Sequence, residues 1–88
     1  IRVNRLARVG ALDLGAPIPG LAEARRLPAG TDLSAHAGLV EVQDAGSQLV
    51  TLAARAEPGQ RVVDLCAGAG GKTLALAAQM DDRGQILA

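Results

Sequence analysis

Not one Phe, Tyr or Trp occurs in the 88 residues of this chain. That absence removes the rings on which proteins stack nucleobases and the amphipathic anchors that dominate many interfaces. Any base recognition within this span must therefore work without stacking. Cysteine is nearly absent as well: Cys66 stands alone, so there is no internal disulfide and no Cys/His cluster of zinc-site spacing. A reducing, cytoplasmic setting without a bound metal is the expectation. No apolar run approaches the ~20 residues needed to span a bilayer, and the N-terminus lacks the apolar segment of a signal peptide. A start at Ile1 in place of Met leads us to expect a processed, truncated or partly observed chain.

Excess charge is missing too. The formal net charge is zero, which argues against non-specific capture of nucleic acid by the chain as a whole. Its distribution is uneven, because residues 1–30 hold Arg2, Arg5, Arg8, Arg25 and Arg26 against Asp13 and Glu23. Such a basic third reads first as a solvated face and second as a phosphate-facing edge. What is abundant is Ala, Leu and Val: 49% of residues are hydrophobic and 20% charged, the balance of a globular interior and not of a disordered chain. A span this short buries only about two-thirds of its unfolded surface, so its core is expected to be marginal.

The texture changes near Gly38. Before it, Gly10, Gly15, Pro17, Pro19, Gly20, Pro28 and Gly30 punctuate short apolar pieces such as Ile1–Asn4 and Ala24–Leu27, giving two or three short strands. After it, Leu39–Val42 reads as a strand. Asp44 is a good N-cap for a helix in which Ala45, Leu49, Leu52, Ala53 and Ala56 recur at helical spacing. Pro58 and Gly59 turn the chain into Arg61–Leu65, a β-branched apolar run suited to a parallel strand buried on both faces. Gly68, Gly70 and Gly71 precede the helix-forming stretch Lys72–Met80, and after a turn at Asp81–Gly84 a further strand begins at Gln85. Strand, glycine turn, helix and strand make a βαβ unit, whose crossover is expected to be right-handed.

The decamer Asp64-Leu65-Cys66-Ala67-Gly68-Ala69-Gly70-Gly71-Lys72-Thr73 carries most of the information. Glycines between a buried strand and a helix let the backbone turn sharply and approach a ligand, toward which the helix-start N–H groups point. A phosphate-binding P-loop needs Gly-x-x-x-x-Gly-Lys-Ser/Thr, and Cys66 stands where its first glycine belongs. A dinucleotide fingerprint needs Gly-x-Gly-x-x-Gly, and Thr73 occupies its last place. An acidic residue at a strand end followed by Gly-x-Gly, met by Asp64, Gly68 and Gly70, is the general pattern of S-adenosyl-L-methionine sites and is the favoured reading over a nucleotide-phosphate site or a purely structural turn.

This decamer, preceded by Val42-Gln43-Asp44-Ala45-Gly46-Ser47-Gln48, resembles the start of the catalytic domain of the Fmu/Sun family of RNA cytosine-C5 methyltransferases. The resemblance runs from Gly38 to Ala88. It implies an α/β fold: a partial class I methyltransferase (Rossmann-like) parallel sheet over residues 38–88, preceded over 1–37 by a fragment of a small α+β RNA-binding module. It implies that Cys66, Ala67, Gly68, Ala69, Gly70, Gly71 and Lys72 line an S-adenosyl-L-methionine pocket, chiefly by backbone contact, with Asp64 beneath the loop. Ala69 stands where the family commonly has proline, which should loosen the turn without removing a donor. The implied partner is an RNA substrate, ribosomal RNA foremost, and the implied product is 5-methylcytosine. The ribose-binding acid and the two cysteines of the reaction are expected downstream of Ala88.

Each remaining polar residue has a plainer reading beside the functional one. Cys66 sits beside a helix start, where thiols become reactive, but its place in the loop matches a cofactor-lining or packing residue, not the nucleophile. Lys72 has two open roles, toward backbone carbonyls or toward the cofactor carboxylate. His36 reads as a solvated surface histidine. Asp44, Ser47 and Gln48 read as helix-opening residues, with an indirect role near the cofactor as the lesser expectation. Alternatives at the level of function are a non-catalytic RNA-binding or assembly module that keeps a cofactor fold, and a P-loop nucleotide hydrolase. Two helices on two parallel strands leave a sheet face and an edge uncovered, so the span by itself is expected to be marginally stable and inactive.

Overall fold

The computed structural model describes residues 1–7 and 12–88; Arg8 and Gly10, counted above in the basic third and among the punctuating glycines, lie outside the described residues. The chain forms a mixed α/β structure: β1 (Arg2–Val3), β2 (Ala16–Ile18), β3 (Leu21–Arg26), β4 (Val40–Glu41), α1 (Ala45–Ala54), β5 (Arg61–Val63), α2 (Gly71–Gln79) and β6 (Gln85–Leu87). Short 3-10 turns lie at Arg5–Ala7 and Ser34–His36. The first four strands make an antiparallel sheet in the order β2-β3-β1-β4. The last two pair in parallel, with Val62 opposite Ile86, and enclose α2 as the sequence leads one to expect.

The segment Leu39–Val42 does yield a strand, over Val40–Glu41, but β4 is an outer strand of the first sheet. There Arg2 faces Glu41, and Val3 faces Val40. An arginine so placed is costly to bury unless an acid meets it. The Arg2 guanidinium, 3% exposed, has its Nη2 at 2.6 Å from Glu41 Oε2 and its Nη1 at 3.6 Å from Glu23 Oε2. Ala24, opposite Arg2 on β3, is fully buried and small enough to leave room for the long side chain.

Arg5, just past β1, ties this sheet to the second half. Its Nε donates to the Ala78 carbonyl at 3.0 Å, Nη2 donates to the same oxygen, and Nη2 also meets Asp81 Oδ1 at 2.9 Å. The Ala78 carbonyl already accepts from Asp81 N–H at 3.1 Å, so the guanidinium adds to that bond and sets a positive charge against the negative end of the helix. The apolar core beneath is small: Ala56, Leu76 and Met80, with Val62 and Ile86 packed against it.

Two expectations about burial are corrected. The stripe Ala45, Leu49, Leu52, Ala53 and Ala56 does not face inward as a unit, since the buried residues of α1 are Gln48 and Thr51, whereas Leu49 and Leu52 are 55% and 49% exposed. The helix lies on a polar seam: Gln48 Nε2 donates to the carbonyls of Ile1 and Gln43, each at 3.2 Å. Likewise β5 is not buried on both faces. It spans Arg61–Val63, and Val63 and Leu65 remain 59% and 90% exposed, because α2 covers one face of a two-stranded pair and nothing among the described residues covers the other.

Breaking the Arg2–Glu41 pair by Arg2→Met should cost about 3 kcal/mol by stranding a largely buried carboxylate, and adding Glu41→Leu should recover most of the loss. Urea unfolding of the two variants provides the measurement; a double variant no more stable than the single one would contradict the pairing.

Candidate cofactor site

The site grows from the end of β5. The Asp64 N–H donates to the Leu87 carbonyl at 2.8 Å, carrying the parallel pairing one residue past the strand, and the backbone then leaves the sheet. Gly68 and Gly70 have φ of +55° and +90°, and nothing lies within 4 Å of where a Cβ on either would stand. The sign of φ, not crowding, makes these positions glycine. A bond from Gly70 N–H to the Ala67 carbonyl, 2.9 Å, closes the turn, and Leu74 N–H to the Gly70 carbonyl, 2.8 Å, opens the ladder of α2.

Gly70 is the N-cap of α2 and provides no side-chain acceptor. The N–H groups of the first helical turn therefore point out of the turn without a capping partner, with the positive end of the helix behind them. Asp64 does not serve as that cap. Its Oδ2 accepts the Thr73 hydroxyl at 2.7 Å, which pins the strand end to the first turn of the helix from below. The seven residues expected to line a pocket thus form one continuous turn, in which Cys66, Gly68, Ala69 and Lys72 are exposed and Ala67, Gly70 and Gly71 are half-buried. Cys66 packs into no core, which removes the packing half of its sequence reading.

The fold also brings the start of α1 beside this turn. Asp44 caps α1 as expected, its Oδ1 accepting from Ser47 N–H at 3.1 Å. The side chain and backbone of Ser47 hold the Asp44 carboxyl below its ordinary range, and Lys72 across the gap adds a smaller pull in the same direction. Lys72 makes no hydrogen bond to a backbone carbonyl among the described residues, so proximity to Asp44 is the relation the structure gives it. Gln43, quoted in the sequence only as part of the Val42–Gln48 motif and given no role of its own there, lies beside the turn too: its Nε2 is 3.7 Å from the position of a Cβ on Gly71. Its signals in the sequence are its membership of that motif and its place directly before the Asp44 cap.

Other candidates fall away from the turn. His36 is half-buried, not solvated, at the end of a 3-10 turn, and its Nδ1 is closed off without a partner among the described residues. A cavity of about 200 Å³ lies between the first sheet and the two helices, lined by Arg2, Arg5, Glu23, Thr51, Leu52 and Gln79 among others, and no residue of the glycine turn reaches it. Among the described residues no cluster of His, Cys, Asp and Glu could hold a metal, and no helix is long and apolar enough to cross a membrane.

Against known proteins, the chain is 39% identical over 66 residues to the 25S rRNA (cytosine-C(5))-methyltransferase NSUN5 of Arabidopsis thaliana, a match covering 70% of this chain and 12% of that protein. It is 43% identical over 47 residues to the human tRNA (cytosine(72)-C(5))-methyltransferase NSUN6, covering 53% of this chain and 10% of the relative. It is 44% identical over 64 residues to the ribosomal RNA small subunit methyltransferase F of Enterobacter sp. (strain 638), covering 70% and 13%. The chain is a relative of the RNA cytosine-C5 methyltransferases. It spans only a small part of the length of these enzymes. No family model matches it, and no solved structure does.

The turn makes two separable demands. Gly70→Ala forces a side chain into left-handed backbone and should destabilise the protein by about 1 kcal/mol or more, whereas Gly71→Ala, which meets only Gln43 at ordinary contact distance, should leave the thermal midpoint unchanged or slightly raised. Equal midpoints for the two variants would contradict the geometry. At α1, a carboxyl whose folded pKa is depressed stabilises above its unfolded value and ceases to do so as pH falls through the folded one. Helicity followed by circular dichroism should therefore decline below the ordinary carboxylate range, and Asp44→Asn should flatten that part of the acid limb.

Proposed function

We propose that this chain carries the methyl-donor cradle of an S-adenosyl-L-methionine-dependent RNA methyltransferase that forms 5-methylcytosine. The observation that carries the reading is the uncapped N-terminus of α2 behind two left-handed glycines, placed at the carboxyl end of a parallel strand with Asp64 pinned beneath it. Crevices at the carboxyl ends of parallel strands are where open α/β sheets take their ligands. The open space in front of Gly68 and Gly70 fits an organic cofactor, and the free helix donors fit its carboxylate.

In this reading Cys66, Ala67, Gly68, Ala69, Gly70, Gly71 and Lys72 hold the cofactor, mostly through backbone atoms, and β5-α2-β6 opens a partial class I, Rossmann-like sheet. Residues 1–37 are a partial RNA-binding-like module and 38–88 the start of the methyltransferase domain, with β4 joining the two by pairing to β1. The relatives named for rRNA and tRNA support RNA as the substrate, and ribosomal RNA in the cytoplasm is the specific proposal. When bound, the cofactor supplies an electrophilic methyl group. The residues of this chain orient it: the α2 donors fix its charged head, and Thr73 with Asp64 keeps those donors in place.

C5 of cytosine becomes nucleophilic only after a thiolate adds at C6, so the reaction needs covalent catalysis. Cys66 lies in the cradle and is assigned to the cofactor, not to that thiolate. Isothermal calorimetry with S-adenosylmethionine and with ATP tests the reading. Binding of the first and not of the second is expected. ATP binding without S-adenosylmethionine binding would replace the methyl-donor site with a nucleotide-phosphate site.

A further inference from the structure

Among the described residues beside the glycine turn, Gln43 carries a side chain whose chemistry is left idle. Both polar atoms of its carboxamide, Oε1 and Nε2, are buried and have no hydrogen-bond partner among the described residues. Because both ends are unpaired, turning the amide over changes nothing. Its backbone carbonyl is engaged, accepting from Gln48 Nε2 at 3.2 Å. A buried amide without partners costs about 1–3 kcal/mol for each unsatisfied group, more than an apolar side chain of the same length would. The stem of Gln43 would fill its place equally well as methionine, so packing alone does not account for the amide.

Its surroundings say what the amide faces. Nε2 lies 3.7 Å from where a Cβ on Gly71 would stand, and Gly71 is the first residue of the helix whose leading N–H groups lack a side-chain cap. Gly71 has no positive φ and no crowded neighbour, so neither backbone strain nor close packing accounts for the missing Cβ. Two unexplained features, an idle amide and a glycine without a conformational reason, thus meet at one point of the turn.

We infer that Gln43 is a positioning residue for the glycine turn. When the helix-start N–H groups take the carboxylate of a bound ligand, the backbone around Gly71 settles against Gln43, and the carboxamide makes there the hydrogen bonds it lacks in the free protein. Part of the binding free energy is then the relief of a polar group that the unliganded fold leaves unsatisfied. Gly71 permits the approach, since a methyl group at that position would stand between the amide and the backbone. The inference rests on the methyl-donor reading of the site.

Gln43→Met separates this role from a structural one, because the two predict opposite signs. The variant should raise the unfolding midpoint of the ligand-free protein by several degrees, by removing the unsatisfied amide. It should at the same time weaken binding of S-adenosylhomocysteine about tenfold, measured by calorimetry. Methylthioadenosine, which lacks the amino-acid head, should bind wild type and variant alike. A variant that loses stability and affinity together, or that binds S-adenosylhomocysteine as tightly as wild type, overturns the role of Gln43. Wild-type protein that binds neither ligand overturns the methyl-donor reading, and the inference with it.

Discussion

A single hydrogen bond, from the Thr73 hydroxyl to the Asp64 carboxylate, fixes where the second half of this molecule turns. It joins Asp64, the residue after β5, to the first turn of α2 across nine positions of sequence, and the chain between them passes through left-handed backbone at Gly68 and Gly70. With the strand end and helix start fixed, the direction of α2 follows. So does its contact with Val62 and Ile86 through Leu76 and Met80. Moving either end of this bond would redirect the donors of the helix and open the apolar layer below.

The βαβ unit was legible because its signals are local. A β-branched run, three glycines and an Ala/Leu helix each act over a few residues, and the short-range rules governing them agree with one another. The Asp44 cap was legible for the same reason, since its partner is Ser47 within the same turn. What escaped sequence reading depends on distant partners. Arg2 looks like one of several surface arginines until Glu41 and Glu23 are brought to it by strand pairing. The inward face of α1 is polar because Gln48 finds the Ile1 carbonyl, 47 residues away, so an apolar periodicity pointed to the wrong side. Gln43 has no signal of its own in periodicity or composition; its meaning comes from a neighbour, Gly71, on another element.

The absence of aromatic residues shapes the energetics as much as it limits recognition. Without large rings the buried core is built from Ala, Leu and Met, with Met80 its largest almost fully enclosed apolar side chain. Cohesion between the two halves therefore leans on polar contacts that need exact partners: Arg2 with Glu41, Arg5 with Ala78 and Asp81, Gln48 with Ile1. Such contacts contribute modestly when formed and cost heavily when one member is missing. Meanwhile Val42, Leu65 and Leu87 stay open to solvent, and the apolar sequence of β5 and β6 goes only partly used.

Arg5 gives this arrangement a mechanical side. The guanidinium grips the Ala78 carbonyl near the end of α2 while the Asp64–Thr73 bond grips its first turn, so the helix is tied at both ends to different sheets. A rod of nine residues, about 13 Å long, clamped in this way neither slides nor frays independently of its supports. The first sheet and the glycine turn thus hold opposite ends of one helix, which rests on Val62 and Ile86 through Leu76 and Met80.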